Sequence, residues 1–190
     1  MERPDLHDPR VLRAIAHPVR SRILTELDAS GPMRAADIAV RLGVPANSAS
    51  FHLRTLARFG LVEEDPEAAR DKRDRVWRAT EEAGFDVSLS EVEKAPGGKA
   101  AAAVFRRTKE AWSHHLVSRA YATKQEKDTV TTVSEQALRL TKAEARRLTD
   151  ELADVVEAWR VRNQAGQDDG RRTYHVLHII QPFPDRGPDD

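Results

Sequence analysis

The stretch ADIAVRLGVPANSASFHLRTLARFG, Ala36 to Gly60, decides the reading of this chain. Ile38 and Leu42 are four residues apart and Gly43 follows them, so the spacing predicts a short helix that closes at the glycine. After the Gly43-Val44 turn a second helix runs from about Pro45 to Phe59, with Ala49, Leu53 and Leu56 inward, and Gly60 stops it. The face opposite these carries Asn47, Ser48, Ser50, Phe51, His52, Arg54 and Arg58. Small polar groups come early on this face and cations come late.

Upstream, Val11, Leu12, Ile15 and Ala16 share a helical face that His17-Pro18 interrupts. Pro18 suits the first position of a new helix, because its missing N–H is one that a helix start leaves unbonded anyway. Val19, Ile23, Leu24 and Leu27 continue at 3–4 spacing until Ser30-Gly31-Pro32. Downstream, Leu61 to Asp65 and Arg75 to Ala79 are extended segments around the charged loop Pro66 to Asp74, a hairpin pattern. Arg70, Lys72, Arg73, Arg75 and Arg78 make this hairpin basic, although Asp71 and Asp74 dilute it.

Two short helices across a tight turn, followed directly by a basic hairpin, are the parts of a winged helix-turn-helix, whose second helix enters a DNA major groove. Short hydroxyl and amide groups near the start of such a helix can hydrogen-bond to base edges, while Arg54 and Arg58 can reach phosphates. The wing can lay an arginine along the backbone or into the minor groove. Residues 34–59 as an ordinary helical hairpin and 70–78 as a solvated charge run is the plainer alternative. The order of turn, polar face and wing favours DNA.

Four segments also carry a resemblance: Ala16-His-Pro-Val-Arg20, Ala36-Asp-Ile-Ala-Val-Arg-Leu-Gly-Val44, Ser48-Ala-Ser-Phe-His-Leu-Arg-Thr-Leu56 and Phe59-Gly-Leu-Val62. Together they resemble the ArsR-type winged helix-turn-helix repressors over about residues 9–92. The resemblance implies a homodimeric transcriptional regulator with Asn47, Ser50, Phe51 and His52 nearest the bases and the wing at the backbone. Two features depart from it. Arg34 stands where that family has a Ser or Thr helix cap, a group worth about 1 kcal/mol. The family's metal-sensing branch uses cysteine pairs or a carboxylate and histidine ladder on the dimer helix, and this chain has no cysteine.

Glu93-Lys-Ala-Pro-Gly-Gly98 is a composition break, which places a winged domain at 1–92 and a second domain at 97–190. In the second, Lys99 to about Ala122 is a helix candidate with Val104, Phe105, Ala111, Trp112, Leu116 and Ala120 along an imperfect stripe. Ala137 to Leu140 is a candidate short strand. Thr141 and Glu144 form a capping box for a helix with Ala145, Leu148, Leu152, Val155, Val156 and Trp159 inward. Thr173 to Ile180 has the β-branched and aromatic content of a strand. Trp112, Leu116, Leu152, Val156, Trp159 and Tyr174 are thus the candidates for burial against a partner copy. Together with Val176 and Ile180, the aromatic members could instead line an apolar effector pocket.

Composition limits the alternatives. The 190 residues suit one large domain or two small ones, and 31 Lys plus Arg balance 31 Asp plus Glu. That balance excludes a polybasic tail protein. No long apolar run or leader is present, so a cytoplasmic protein without membrane association is expected. Without cysteine, thiolate catalysis and thiolate metal sites are excluded, and no phosphate loop or nucleophile elbow marks an enzyme. Histidine-based metal sensing would have to use His114, His115, His175 and His178. Adjacent residues on a helix diverge by about 100°, and residues three apart on a strand face opposite sides, so neither pair converges and no metal or other cofactor is expected.

The expectation is therefore an α+β, mostly helical chain: a winged helix-turn-helix domain, a connecting dimerisation helix and a small helix-plus-strand C-terminal unit. Its expected function is sequence-specific regulation of transcription as a homodimeric repressor on a double-stranded DNA operator, with a small-molecule effector open. An architectural DNA binder without an effector is the alternative. Operator, target genes and the direction of regulation are not written in the sequence.

Overall fold

The computed structural model describes residues 7–69, 75–80, 88–122, 126–164 and 170–183. It divides into two units, Met1–Ala122 and Thr123–Asp190. The first begins with helix α1, Pro9–Ile15, whose N-cap Asp8 accepts a bond from the Arg10 backbone N–H at 2.7 Å. Helix α2, Pro18–Ser30, starts at its proline as the sequence predicts and ends at Gly31. Strand β1, Met33–Arg34, leads into helix α3, Ala35–Leu42.

The turn after α3 depends on Gly43, held at φ +65°. That left-handed conformation lets the Gly43 and Val44 amides bond back to the Val40 and Ala39 carbonyls at 3.2 and 3.0 Å, which satisfies helix-end acceptors. A Cβ there would meet no neighbour, so glycine is favoured by backbone conformation alone. Helix α4, Ala46–Arg58, follows directly. Strands β2, Val62–Glu64, and β3, Val76–Ala79, pair antiparallel, with Val62 opposite Ala79 and Glu64 opposite Trp77. Strand β1 adds to the other edge of β3, giving the order β1-β3-β2. The two-residue β1 was not legible in the sequence, because so short a segment has no periodicity of its own.

One apolar core joins these elements. Leu12, Ile23, Leu24, Ile38, Leu53 and Leu56 are each 1 % exposed or less, in agreement with the sequence faces. Trp77 and Val62 close the core from the sheet. The short helix α5, Leu89–Val92, and the first turns of α6, Gly98–Ala120, complete it, with Val92, Ala101 and Ala102 fully buried.

The Pro96-Gly97-Gly98 segment is accordingly a packed corner and not a linker. A Cβ on Gly98 would lie 1.8 Å from the Val92 carbonyl oxygen, so only glycine lets the two backbones approach this closely. Because α6 packs on α1 through small alanines, the division between compact units falls after Ala122 and not at Glu93–Gly98. Glycines after a proline signal a change of direction, which a corner and a linker share.

The second unit contains helix α7, Lys142–Gln164. Its capping box forms as predicted: the Glu144 carboxylate accepts from the Thr141 amide at 2.7 Å, and Thr141 Oγ1 accepts from the Glu144 amide at 3.3 Å. Among the described residues of this unit none is buried; Ala145, Leu148 and Leu152 are half-covered and Val155, Val156 and Trp159 are exposed. Neither Ala137–Leu140 nor Thr173–Ile180 forms a strand, which corrects the expected strand component of this unit. A strand exists through hydrogen bonds to a neighbour, however strand-like its composition. The extended segments touch where the Tyr174 hydroxyl accepts from the Val130 amide at 3.3 Å and where Arg172 pairs with Glu126 at 3.1 Å.

Candidate nucleic-acid interface

Helix α4 is amphipathic, and its core side fixes what the other side presents. Ala49, Leu53 and Leu56 are completely buried, so the helix cannot roll without opening the core. On the opposite side Asn47, Phe51, Arg54 and Arg58 are exposed, at spacings of four, three and four residues. They form one stripe: amide, phenyl, then two guanidinium groups. Ser48 and Ser50 are half-buried at its flanks. Asn47 Oδ1 accepts from the Ser48 amide at 2.8 Å, and its carboxamide N–H groups are the donors of this exposed side chain at the helix start.

His52 does not belong to this stripe. It is only 8 % exposed and its ring lies against His17, the N-cap residue of α2, with centroids 4.7 Å apart. Three residues after Ala49 and one before Leu53, it falls on the edge of the buried face and not in the exposed row, where the family resemblance would put a base-proximal residue. The Nδ1 atoms of both rings are buried without a hydrogen-bond partner. Burial first, and then the nearby Arg20 charge, hold both imidazoles below their ordinary pKa; His17 is lowered further by His52. Arg20 itself donates to the Ala14 and Arg13 carbonyls at the end of α1. His17 and Arg20, which lie behind this helix, were not among the sequence candidates. The His-Pro-Val-Arg string was their signal, because a histidine and arginine flanking a helix-starting proline face the preceding helix end.

The turn itself is braced from α2, where Arg22 donates to the Leu42 carbonyl at 3.2 Å. Arg34, the N-cap residue of α3, supplies no capping bond; its guanidinium pairs instead with Asp37 at 2.8 Å. Asp37 places a negative charge in the first turn of α3, where the helix dipole favours it.

At the wing, Arg75 is exposed and lies 3.6 Å from Glu64, while Arg78 pairs with Glu63 at 2.8 Å. The cations of the hairpin base are therefore partly neutralised within the hairpin. Arg70, Lys72 and Arg73 lie outside the described residues.

The candidate dimer or pocket residues are distributed over both units. In the first, Trp112 is 37 % exposed and stacks on His115, and Leu116 is half-buried. In the second, Leu152 is half-buried, whereas Val156, Trp159 and Tyr174 are exposed. The Arg162 guanidinium covers one face of Trp159 at 4.6 Å. His114, His175 and His178 are exposed. Among the described residues no group of three or more His, Asp or Glu side chains is placed to share a metal ion. No helix among them is long and apolar enough to cross a membrane.

Residues 15–65 match the model of a helix-turn-helix domain, a span that runs from the end of α1 through α4 and β2. This is a broader class than the ArsR type. No curated protein matches the chain. Among solved structures, a double mutant of ZitR from Lactococcus lactis in apo form is 19% identical, over 76% of this chain and 83% of its own, with a TM-score of 0.33. The YusO protein from Bacillus subtilis is 15% identical over 79% and 84%, with a TM-score of 0.34. A MepR mutant from S. aureus bound to an oligodeoxyribonucleotide is 16% identical over 79% and 87%, with a TM-score of 0.33. The chain thus carries a helix-turn-helix domain within a mostly helical fold that has a small antiparallel sheet.

Proposed function

We propose that this protein is a sequence-specific DNA-binding transcriptional regulator that works as a homodimer and represses by occupying its operator. The exposed stripe of Asn47, Phe51, Arg54 and Arg58 on the second helix of the turn carries this reading. Its amide lies where base edges are met and its guanidinium groups where phosphates pass. Asn47 and Ser50 specify, Arg54 and Arg58 anchor, and the wing arginines Arg75 and Arg73 add backbone contact.

The paired state of Arg75 and Arg78, together with a net charge of zero, favours a specific regulator over an architectural binder. Non-specific affinity is almost wholly electrostatic, and among the described residues the two hairpin-base arginines are each beside a glutamate. Dimerisation is assigned to α6 and α7, whose partly exposed Trp112, Val156 and Trp159 would be buried further by a second copy. Two copies place two α4 helices on one DNA face, so the half-sites would lie about one helical turn, roughly 34 Å, apart.

The experiment is selection of duplexes from a random pool by the full chain, followed by titration of the enriched duplex and a scrambled one at 50 and 200 mM salt. An inverted repeat preferred by about a thousandfold or more supports the specific reading. Equal affinities that collapse together with salt would favour the architectural one.

A further inference from the structure

Phe51 is the feature of the α4 stripe that generic DNA binding does not need. It is 55% exposed, between Asn47 one turn before it and Arg54 one turn after it. An isolated exposed phenyl is ordinary on a protein surface. This one stands within a polar, cationic row and is held firmly. Its ring meets the edge of His52, with centroids 5.3 Å apart and planes at 72°, and His52 in turn lies on His17. The Phe51 carbonyl accepts from Thr55 Oγ1 at 2.9 Å. A ring resting against a buried ring has given up part of its rotamer freedom, so contact with a partner costs less further ordering.

In a major groove the base edges present hydrogen-bonding groups and one apolar group, the C5-methyl of thymine. A phenyl cannot answer the former and fits the latter. We propose that Phe51 reads the C5-methyl group of a thymine in each half-site, with His52, itself resting on His17, as the platform beneath it. The inference rests on the DNA-binding reading of α4 and gives that site a base. Four residues of helix span about 6 Å, so this thymine falls within about two base pairs of the base that Asn47 contacts.

The test starts from the duplex that the full chain selects and replaces its thymines one at a time with deoxyuridine, which removes only the methyl group. The wild-type protein should bind about fourfold more weakly at one thymine per half-site, the effect of uncovering a methyl-sized apolar contact, and be indifferent at the others. Phe51→Ala should bind thymine and uracil duplexes alike at that position while keeping its preferences elsewhere; Phe51→Leu should retain part of the discrimination. Replacing that T·A pair with C·G should weaken wild-type binding, and 5-methylcytosine there should recover part of the loss. A selected duplex in which no deoxyuridine weakens wild-type binding, or whose deoxyuridine penalty persists in Phe51→Ala, overturns the assignment and leaves DNA binding intact. Failure to select any duplex overturns the DNA reading itself. Because Phe51 is exposed, both variants should melt within a few degrees of wild type, which separates lost contact from lost fold.

Discussion

The two units of this chain are built to opposite standards of completeness. Met1–Ala122 closes a core across six helices and a sheet, whereas no described residue of Thr123–Asp190 is buried. A long helix with a formed capping box and an apolar row is not thereby a stable one, because most helix stability comes from packing that row. The contrast teaches that the first unit has a core of its own, whereas the described apolar positions of the second are exposed or half-covered.

The largest effect expected from this difference is all or none. Residues 1–122 expressed alone should unfold cooperatively. Residues 123–190 alone should show a cooperative melt only if they self-associate, with a midpoint that rises with protein concentration. A concentration-independent cooperative transition of monomeric 123–190 would break the comparison. Within the first unit, ending the chain at Lys94 instead of Ala122 removes the Ala101–Ala102 contact with α1 and the Gly98 corner. The shorter fragment should melt at least 5 °C lower, as a loss of about 1 kcal/mol or more in a domain of this size requires.

A smaller and sharper contrast comes from single leucines. Leu53→Ala or Leu24→Ala empties a fully buried position and should cost about 2–5 kcal/mol in urea unfolding. Leu148→Ala and Leu152→Ala should barely change the first unit's transition and should instead weaken self-association, measured by sedimentation. A large loss of first-unit stability from either α7 substitution would show that the units are not separable.

The smallest effect is pH-dependent and belongs to the first unit alone. His17 and His52 are lowered by burial and by Arg20, so the folded chain binds their protons less readily than the unfolded one. Their cost to stability is absent above the unfolded imidazole value of about 6.5 and grows as pH falls below it. The melting temperature of His52→Leu should therefore decline less than that of wild type from pH 6.5 to 5, with both near parallel above pH 7. A parallel decline throughout would mean that the imidazoles do not resist protonation.

The sequence made the first unit legible because its helices are short, amphipathic and punctuated by Pro18, Gly31, Gly43 and Gly60, signals that act locally. The buried faces of α1 to α4 and the β2–β3 hairpin all follow from that punctuation. What it did not disclose depends on contacts remote in sequence. The Gly98 corner needs Val92 and α1, and β1 needs β3. The contact of His52 with His17 joins two helices that are remote in sequence. Thr173–Ile180 shows the converse, since its residues favour a strand and none of the described residues supplies a ladder for it. Asn47, Phe51, Arg54 and Arg58 could be read from spacing alone, because the face opposite three buried apolar positions is fixed by the 3.6-residue period.

The central claim is that this α4 face reads base sequence while the wing contributes charge. Comparing Asn47→Ala with Arg75→Ala on the selected duplex and on one with a changed half-site tests it most directly. Asn47→Ala should erode the preference between the two duplexes by roughly 1–3 kcal/mol at nearly unchanged salt dependence. Arg75→Ala should weaken both duplexes alike and reduce the slope of log affinity against log salt by about one. If Asn47→Ala left the preference intact while Arg75→Ala abolished it, sequence would be read by the wing and the assignment of α4 would be contradicted.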